Sequence, residues 1–261
     1  MTTTTVTFPE KIADREKFIF DQVLAGNFEA SWSPLEYDVA GKKVKLNVMS
    51  DALKIGGVRV NVSATLEQML ADAFDASLLT AQVADLMFLN AAYRIEPSPE
   101  PISSSVKSMI NHSGRIDKMV GGTAVGVVAP PGKHWILDKK LEWSPGKACN
   151  YGWHFIGSTF KGIKGYPAAS SYRKTSDGKA VNVIQPNATA HDAKHTDYSQ
   201  ICQLVSQQCW VDGVEYRFSD LLKNSSMCAL INSTGVLKDV RQPGVQPYVG
   251  SKILFPTIIT V

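Results

Sequence analysis

Ala190-His-Asp-Ala-Lys-His-Thr-Asp-Tyr-Ser-Gln200, continued by Ile201-Cys-Gln-Leu-Val205, is the stretch on which the fold turns. Ile201, Leu204 and Val205 recur at the three-four spacing of a helix face, and Asp197 with Gln200 three residues on matches a capping box. The pattern predicts a helix starting at Asp197. Tyr198 and Ser199 would then occupy its first turn, where backbone N–H groups and the helix dipole favour negative charge. The same stretch holds two of the chain's five histidines beside two carboxylates, a tyrosine and a serine. A polar cluster ahead of a helix start is good ground for a reactive or ligand-binding site.

Upstream of the cluster, Val181-Asn-Val-Ile184 reads as a strand leading into it. Downstream, Cys209 to Phe218 carries Asp212-Gly213 between two alternating arms, a strong hairpin signal. Ser219 is placed to cap one more helix. Further strands are expected at Thr123 to Val128, His134 to Leu137 and Asn150 to Ile156. Between Gly157 and Ala180 lies a long polar insertion with Tyr166 and Tyr172. Loops of that length often act as lids or binding loops. In the front half, Thr7-Phe-Pro-Glu10 opens a helix to about Leu24. Leu35, Tyr37 and Val39 form a hairpin with Val44, Leu46 and Val48, and Val58, Val60 and Val62 join the same small sheet. Helices are expected from Thr65 and around Val83 to Asn90, with a short helical piece at Val106 to His112.

Pro97-Ser-Pro-Glu-Pro-Ile-Ser-Ser-Ser105 resists regular structure and is the best boundary in the chain. Residues 1–100 thus read as a helix and hairpin region, a candidate subdomain, and 101–261 as a sheet-centred domain carrying the active site. The fold class is α+β, with a mixed sheet mainly in the second half and helices packed against it.

Composition is that of a soluble globular chain of 261 residues, and a net charge of +3 with scattered basic residues makes nucleic acid a poor partner. No stretch approaches the roughly 20 apolar residues of a membrane helix, and the N-terminus lacks a secretory pattern. A cytoplasmic protein is expected, with release by lysis if it acts outside the cell. Cys149, Cys202, Cys209 and Cys228 lack metal-ribbon spacing and read as reduced, mostly buried thiols.

Three chemistries compete for the cluster. In the first, His191, His195 and Asp197 ligate zinc, with His154 arriving from the preceding strand, and the metal activates water. In the second no cofactor is needed. Ser199 is the nucleophile, His154 or His195 the base, and Asp192 or Asp197 orients the imidazole, while first-turn N–H groups stabilise an oxyanion. In the third the residues are structural, the histidines bonding loop carbonyls and Asp197 only capping. His112 and His134 show no comparable grouping and read as structural or exposed.

The motifs Asn150-Tyr-Gly-Trp-His-Phe155, His191 with His195, Asp197-Tyr-Ser-Gln200 and Arg241-Gln-Pro-Gly-Val245, together with Gly132-Lys133 and Trp135, resemble those of a group of bacterial and phage proteins. The resemblance covers about Val120 to Val245. It marks Lys133, His154, His195, Asp197, Tyr198 and Ser199 as recurrent positions without implying a particular reaction. A strand histidine followed by a helix opening Asp-Tyr-Ser is also similar to permuted NlpC/P60 peptidases, whose helix opens Asp-Cys-Ser. Tyr198 stands where their cysteine would be, so that likeness implies the fold and, by analogy, a cell-wall substrate.

Together these readings predict a hydrolase cleaving an amide or related acyl bond in a cell-wall or peptide-like polymer. His154, His195, Asp197 and Ser199 would be catalytic, and Lys133, Tyr198, Tyr166 and Tyr172 would contact substrate. The rival from another class is a non-catalytic binding or virion-associated protein in which the cluster fixes a loop.

Overall fold

The computed structural model describes residues 6–122, 126–129, 132–157, 171–174 (backbone only) and 179–253. Its helices are α1 (Ile12–Leu24), α2 (Ala64–Ala73), α3 (Ala81–Asn90), α4 (Val106–Val120) and α5 (Phe218–Lys223). Strands are β1 (Trp32–Val39), β2 (Lys42–Met49), β3 (Lys54–Ile55), β4 (Val58–Arg59), β5 (Ala76–Ser77), β6 (Tyr93–Arg94), β7 (Val128–Ala129), β8 (Lys133–Ile136), β9 (Cys149–Phe155), β10 (Ser171–Lys174), β11 (Ala180–Ala188), β12 (Val205–Val211) and β13 (Val214–Arg217). The fold is α+β.

The larger sheet draws strands from both ends of the chain, in the order β1-β2-β12-β13 with β5 also paired to β12. Two tight hairpins frame it. Ala40 and Gly41 have φ of 50° and 74°, and Asp212 and Gly213 have 51° and 80°, the doubly positive geometry of a turn whose twist matches that of its strands. The Asp-Gly signal was thus legible locally. The second sheet runs β10-β11-β9-β8. Residues on both sides of position 100 share one apolar core, which includes Leu35 and Leu46 from the front and Trp135, Tyr151 and Val205 from the back.

The helix predicted from Asp197 does not form. Asp197 to Ser199 make a turn, and Gln200 to Leu204 then run extended between the two sheets. Backbone bonds are exchanged on both sides. Lys133 N donates to Ser199 O (2.7 Å) and Ile201 N to Lys133 O (3.1 Å), while Val62 N reaches Gln200 O, Leu53 N reaches Cys202 O and Met49 N reaches Leu204 O. Every residue from Ile201 to Val205 is buried, so the three-four spacing was one subset of a continuous buried run. Periodicity cannot tell such a strand from a helix.

Smaller expectations shift as well. Val58 and Arg59 pair only with Lys54 and Ile55 in a separate ribbon, because the site beside β2 is taken by β12. α1 begins at Ile12 after Lys11, without a side-chain cap, and Ser63 rather than Thr65 caps α2. α4 extends to Val120 and ends on left-handed Gly121 (φ 74°), the usual helix stop. Arg217, not Ser219, precedes α5. The Pro97–Ser105 segment is an anchored crossing: Arg15 donates to Ser104 O and Tyr198 N to Ser103 O.

Candidate functional site

The signature at Asp197 is realised as a turn. Asp197 Oδ1 accepts from Ser199 N (2.8 Å) and Ser199 Oγ (2.6 Å), and Gln200 Oε1 in return accepts from Asp197 N. The capping-box exchange therefore closes a single turn instead of starting a helix. From β8, Lys133 brings its ammonium to 2.6 Å from Asp197 Oδ2, with both side chains buried. Asn61 Nδ2 donates to Asp197 O (2.7 Å). Burial alone would raise the Asp197 carboxyl. The His195 imidazole, the Lys133 ammonium and the Ser199 hydroxyl outweigh it and hold the group well below the usual carboxylate range.

His195 Nε2 lies 3.9 Å from Asp197 Oδ2, an ion-pair distance beyond hydrogen-bond length, and the histidine side chain is 30% exposed. Among the described residues that nitrogen has no hydrogen-bond partner. The His191 ring stacks on His195 with centroids 3.9 Å apart and planes 9° apart, and both meet Trp135 edge-on. Burial first, then the neighbouring His195 and Lys133, lowers the His191 pKa.

Parallel stacked rings keep their in-plane lone pairs in separate planes. They cannot converge on one zinc at about 2.0–2.1 Å from each nitrogen. Among the described residues no group of three or more His, Cys, Asp and Glu side chains is placed to hold a metal ion. His191, His195 and Asp197 are thus neighbours without being a ligand set.

Ser199 is fully buried and its hydroxyl donates to a carboxylate rather than to an imidazole. With no helix behind it, the first-turn oxyanion site also disappears. Tyr198 is buried too. Its hydroxyl accepts from Glu100 N (2.7 Å) and donates to Glu100 O (3.0 Å), and its ring meets His112 edge-on. Lys133 is spent on Asp197. Tyr166 lies outside the described residues, and Tyr172 is placed only as backbone of β10.

His154 joins a different group. Lys133 pairs with Gly152 and His134 with Tyr151, so these consecutive β8 residues, and their partners, face opposite sides of the sheet. Gly152 (φ 145°) and Trp153 (φ 54°) distort β9 so that His154 returns to the side of Tyr151. There Asp85 of α3 accepts from Tyr151 Oη and lies 2.9 Å from His154 Nε2, and Phe88 stacks on the imidazole at 5.1 Å. His134 is buried on the same side. Burial, helped by His154, pushes it down to about 3, so it is neutral. The expected shared site of His154 and His195 is therefore split by the sheet between them. Asp85 and Asn61 carry no motif in the sequence, although an aspartate inside the apolar run Ala81 to Leu89 was a readable signal.

All four cysteines are free and buried, as expected. Burial pushes Cys149 and Cys209 up to about 12. No helix is long and apolar enough to cross a membrane among the described residues. Comparison with family models, with curated proteins and with solved structures found no match.

Proposed function

We propose that the chain is a metal-independent hydrolase of an amide or related acyl bond, with His195 as general base and Asp197 as its positioning carboxylate. The observation that supports this reading is a part-exposed imidazole whose Nε2 stands 3.9 Å from a buried carboxylate kept anionic by Lys133. His195 takes a proton from water, the hydroxide adds to the acyl carbon, and the imidazolium returns the proton to the leaving amine or alcohol. Asp197 stabilises the imidazolium that forms between these steps. Water replaces Ser199 as nucleophile, since the serine hydroxyl is buried and already donates to the carboxylate. A cell-wall or peptide-like polymer is the proposed substrate, by analogy with the NlpC/P60 likeness.

A second reading is favoured by the saturation of Asp197 by Lys133, Ser199, Gln200 and Asn61. That web is what a loop clamp in a non-catalytic binding or virion-associated protein would need. One experiment separates the two. Purified chain is incubated with peptidoglycan and with peptide and ester panels, and released amines, acids and alcohols are measured. Turnover that falls about 10²–10⁴-fold in His195→Ala, with an unchanged melting curve, supports the hydrolase. No product from any panel, or equal turnover in the variant, overturns it in favour of the clamp.

A further inference from the structure

The outer face of the larger sheet presents one indole in a row of charges. Glu36 pairs with Lys45, Lys45 with Trp210, and Trp210 with Glu215, so the four side chains cross β1, β2, β12 and β13 in a single line on one face. The opposite face of the same strands holds Leu35, Leu46, Cys209 and Val211, all buried. Trp210 lies outside that core. Its side chain is part-exposed.

The surroundings of the ring are ordered by their own contacts. Lys45 Nζ lies 5.8 Å from the Trp210 ring centroid and 3.3 Å from Glu36 Oε1. At the hairpin ends, Lys42 Nζ reaches Asp212 Oδ2 at 2.6 Å and Lys43 N donates to Asp212 Oδ1. Beside the indole is a depression of about 440 Å³, whose lining includes Glu36, Asp38, Lys43, Lys45 and Trp210. That volume falls in the range of about 300–1,000 Å³ usual for small-molecule sites. Two carboxylates and two ammonium groups in the lining cancel. The face therefore has no net attraction for a polyanion or a polycation, while it offers acceptors and donors on either side of an aromatic plane.

We infer that this face binds a neutral oligosaccharide, with one pyranose ring laid on Trp210 and its hydroxyls bonded by Glu36, Asp38, Lys43 and Lys45. The axial C–H face of a sugar is apolar and packs on an indole by dispersion, and vicinal hydroxyls suit charged donors and acceptors set around the ring. Lys45 would move from the ring to a hydroxyl, exchanging one weak contact for another. The site is on the β1-β2-β12-β13 sheet, whereas His195 lies in a loop against Trp135 of the other sheet, so its occupancy can be measured whether or not the chain hydrolyses anything.

The test is a tryptophan-fluorescence and calorimetric titration of the full chain with chitotetraose, cellotetraose and maltotetraose at millimolar concentrations. Saturable binding of at least one of them is expected, weakened about tenfold or more in Trp210→Ala and retained in Trp210→Phe. Trp143→Ala, which removes a 68% exposed indole elsewhere, should bind as the wild type does. Circular dichroism and melting establish that each variant is folded. Absence of binding by all three sugars overturns the inference, as does equal affinity in folded Trp210→Ala. Binding of heparin or RNA that Trp210→Ala abolishes, with no sugar bound, would also overturn it.

Discussion

His134 and Lys133 are adjacent in β8, yet their side chains enter different surroundings on opposite faces of the sheet. Lys133 is ion-paired with Asp197, whereas burial disfavours the charged form of His134. The consequence is a pH dependence with a definite sign. The folded protein binds the His134 proton less tightly than the unfolded chain, whose imidazole titrates near its ordinary value of about 6.5. Stability from this residue is therefore complete above about 6.5 and is lost as the pH falls toward about 3. The slope approaches roughly 1.4 kcal/mol per pH unit in that window. His134→Gln should flatten the difference in unfolding free energy between pH 6 and pH 4, measured with denaturant. A wild-type profile parallel to that of the variant would refute the assignment. Single residues were only partly readable from the sequence. Spacing marked His191, His195 and Asp197 as neighbours, which they are, but the histidine with the largest pKa displacement among the described residues had no local signal. Its burial comes from tertiary packing around β8, which pairs with β9.

Among the elements, the β8–β9 pair depends on a close approach that only glycine permits. A Cβ built on Gly152 would stand 2.5 Å from Gly132 O and 3.1 Å from Lys133 Cα, at a φ of 145°. Gly152→Ala should cost on the order of 1–3 kcal/mol in unfolding experiments. It should also disturb both clusters, because Lys133 is paired with Gly152 and His154 follows the distortion of β9 at Gly152 and Trp153. Unchanged stability in Gly152→Ala would show that the strands can part without loss. The two hairpins were legible because two-residue turns are decided by their own backbone conformations. Residues 200–204 depart from their local signal for the complementary reason. The capping exchange at Asp197 is local and forms as expected, but the extended run after it is decided by partners on both sides that supply its backbone hydrogen bonds.

For the molecule as a whole, the C-terminal segment is fastened to α2 mainly through Asp72. Arg241 pairs with both oxygens of Asp72, Tyr248 N donates to Asp72 Oδ2 (2.9 Å), and Lys252 Nζ reaches Asp72 O (2.6 Å). Burial opposes ionisation of Asp72, but Arg241 and the Tyr248 N–H outweigh it and lower the pKa. Gln242 adds a bond from its N–H to Gln68 Oε1 (2.7 Å). The Arg-Gln-Pro-Gly-Val motif thus acts as an anchor. Arg241→Leu should destabilise by about 1–2 kcal/mol, a modest figure because the guanidinium is part-exposed and screened. Trypsin should then cut at Lys252 faster than in the wild type. An unchanged digestion rate would show that Arg241 does not hold the segment in place.

Short-range pattern and composition were enough for the α+β class, both tight hairpins, the free buried cysteines and the gathering of His191, His195 and Asp197, because each rests on residues close together in the chain. Packing between distant segments settled that front and back hairpins share a sheet, that Gln200 to Leu204 run extended, and that His154 and His195 lie on opposite faces of one sheet. Those outcomes depend on hydrogen-bond partners and burial supplied by residues far away in the chain, which no local pattern encodes.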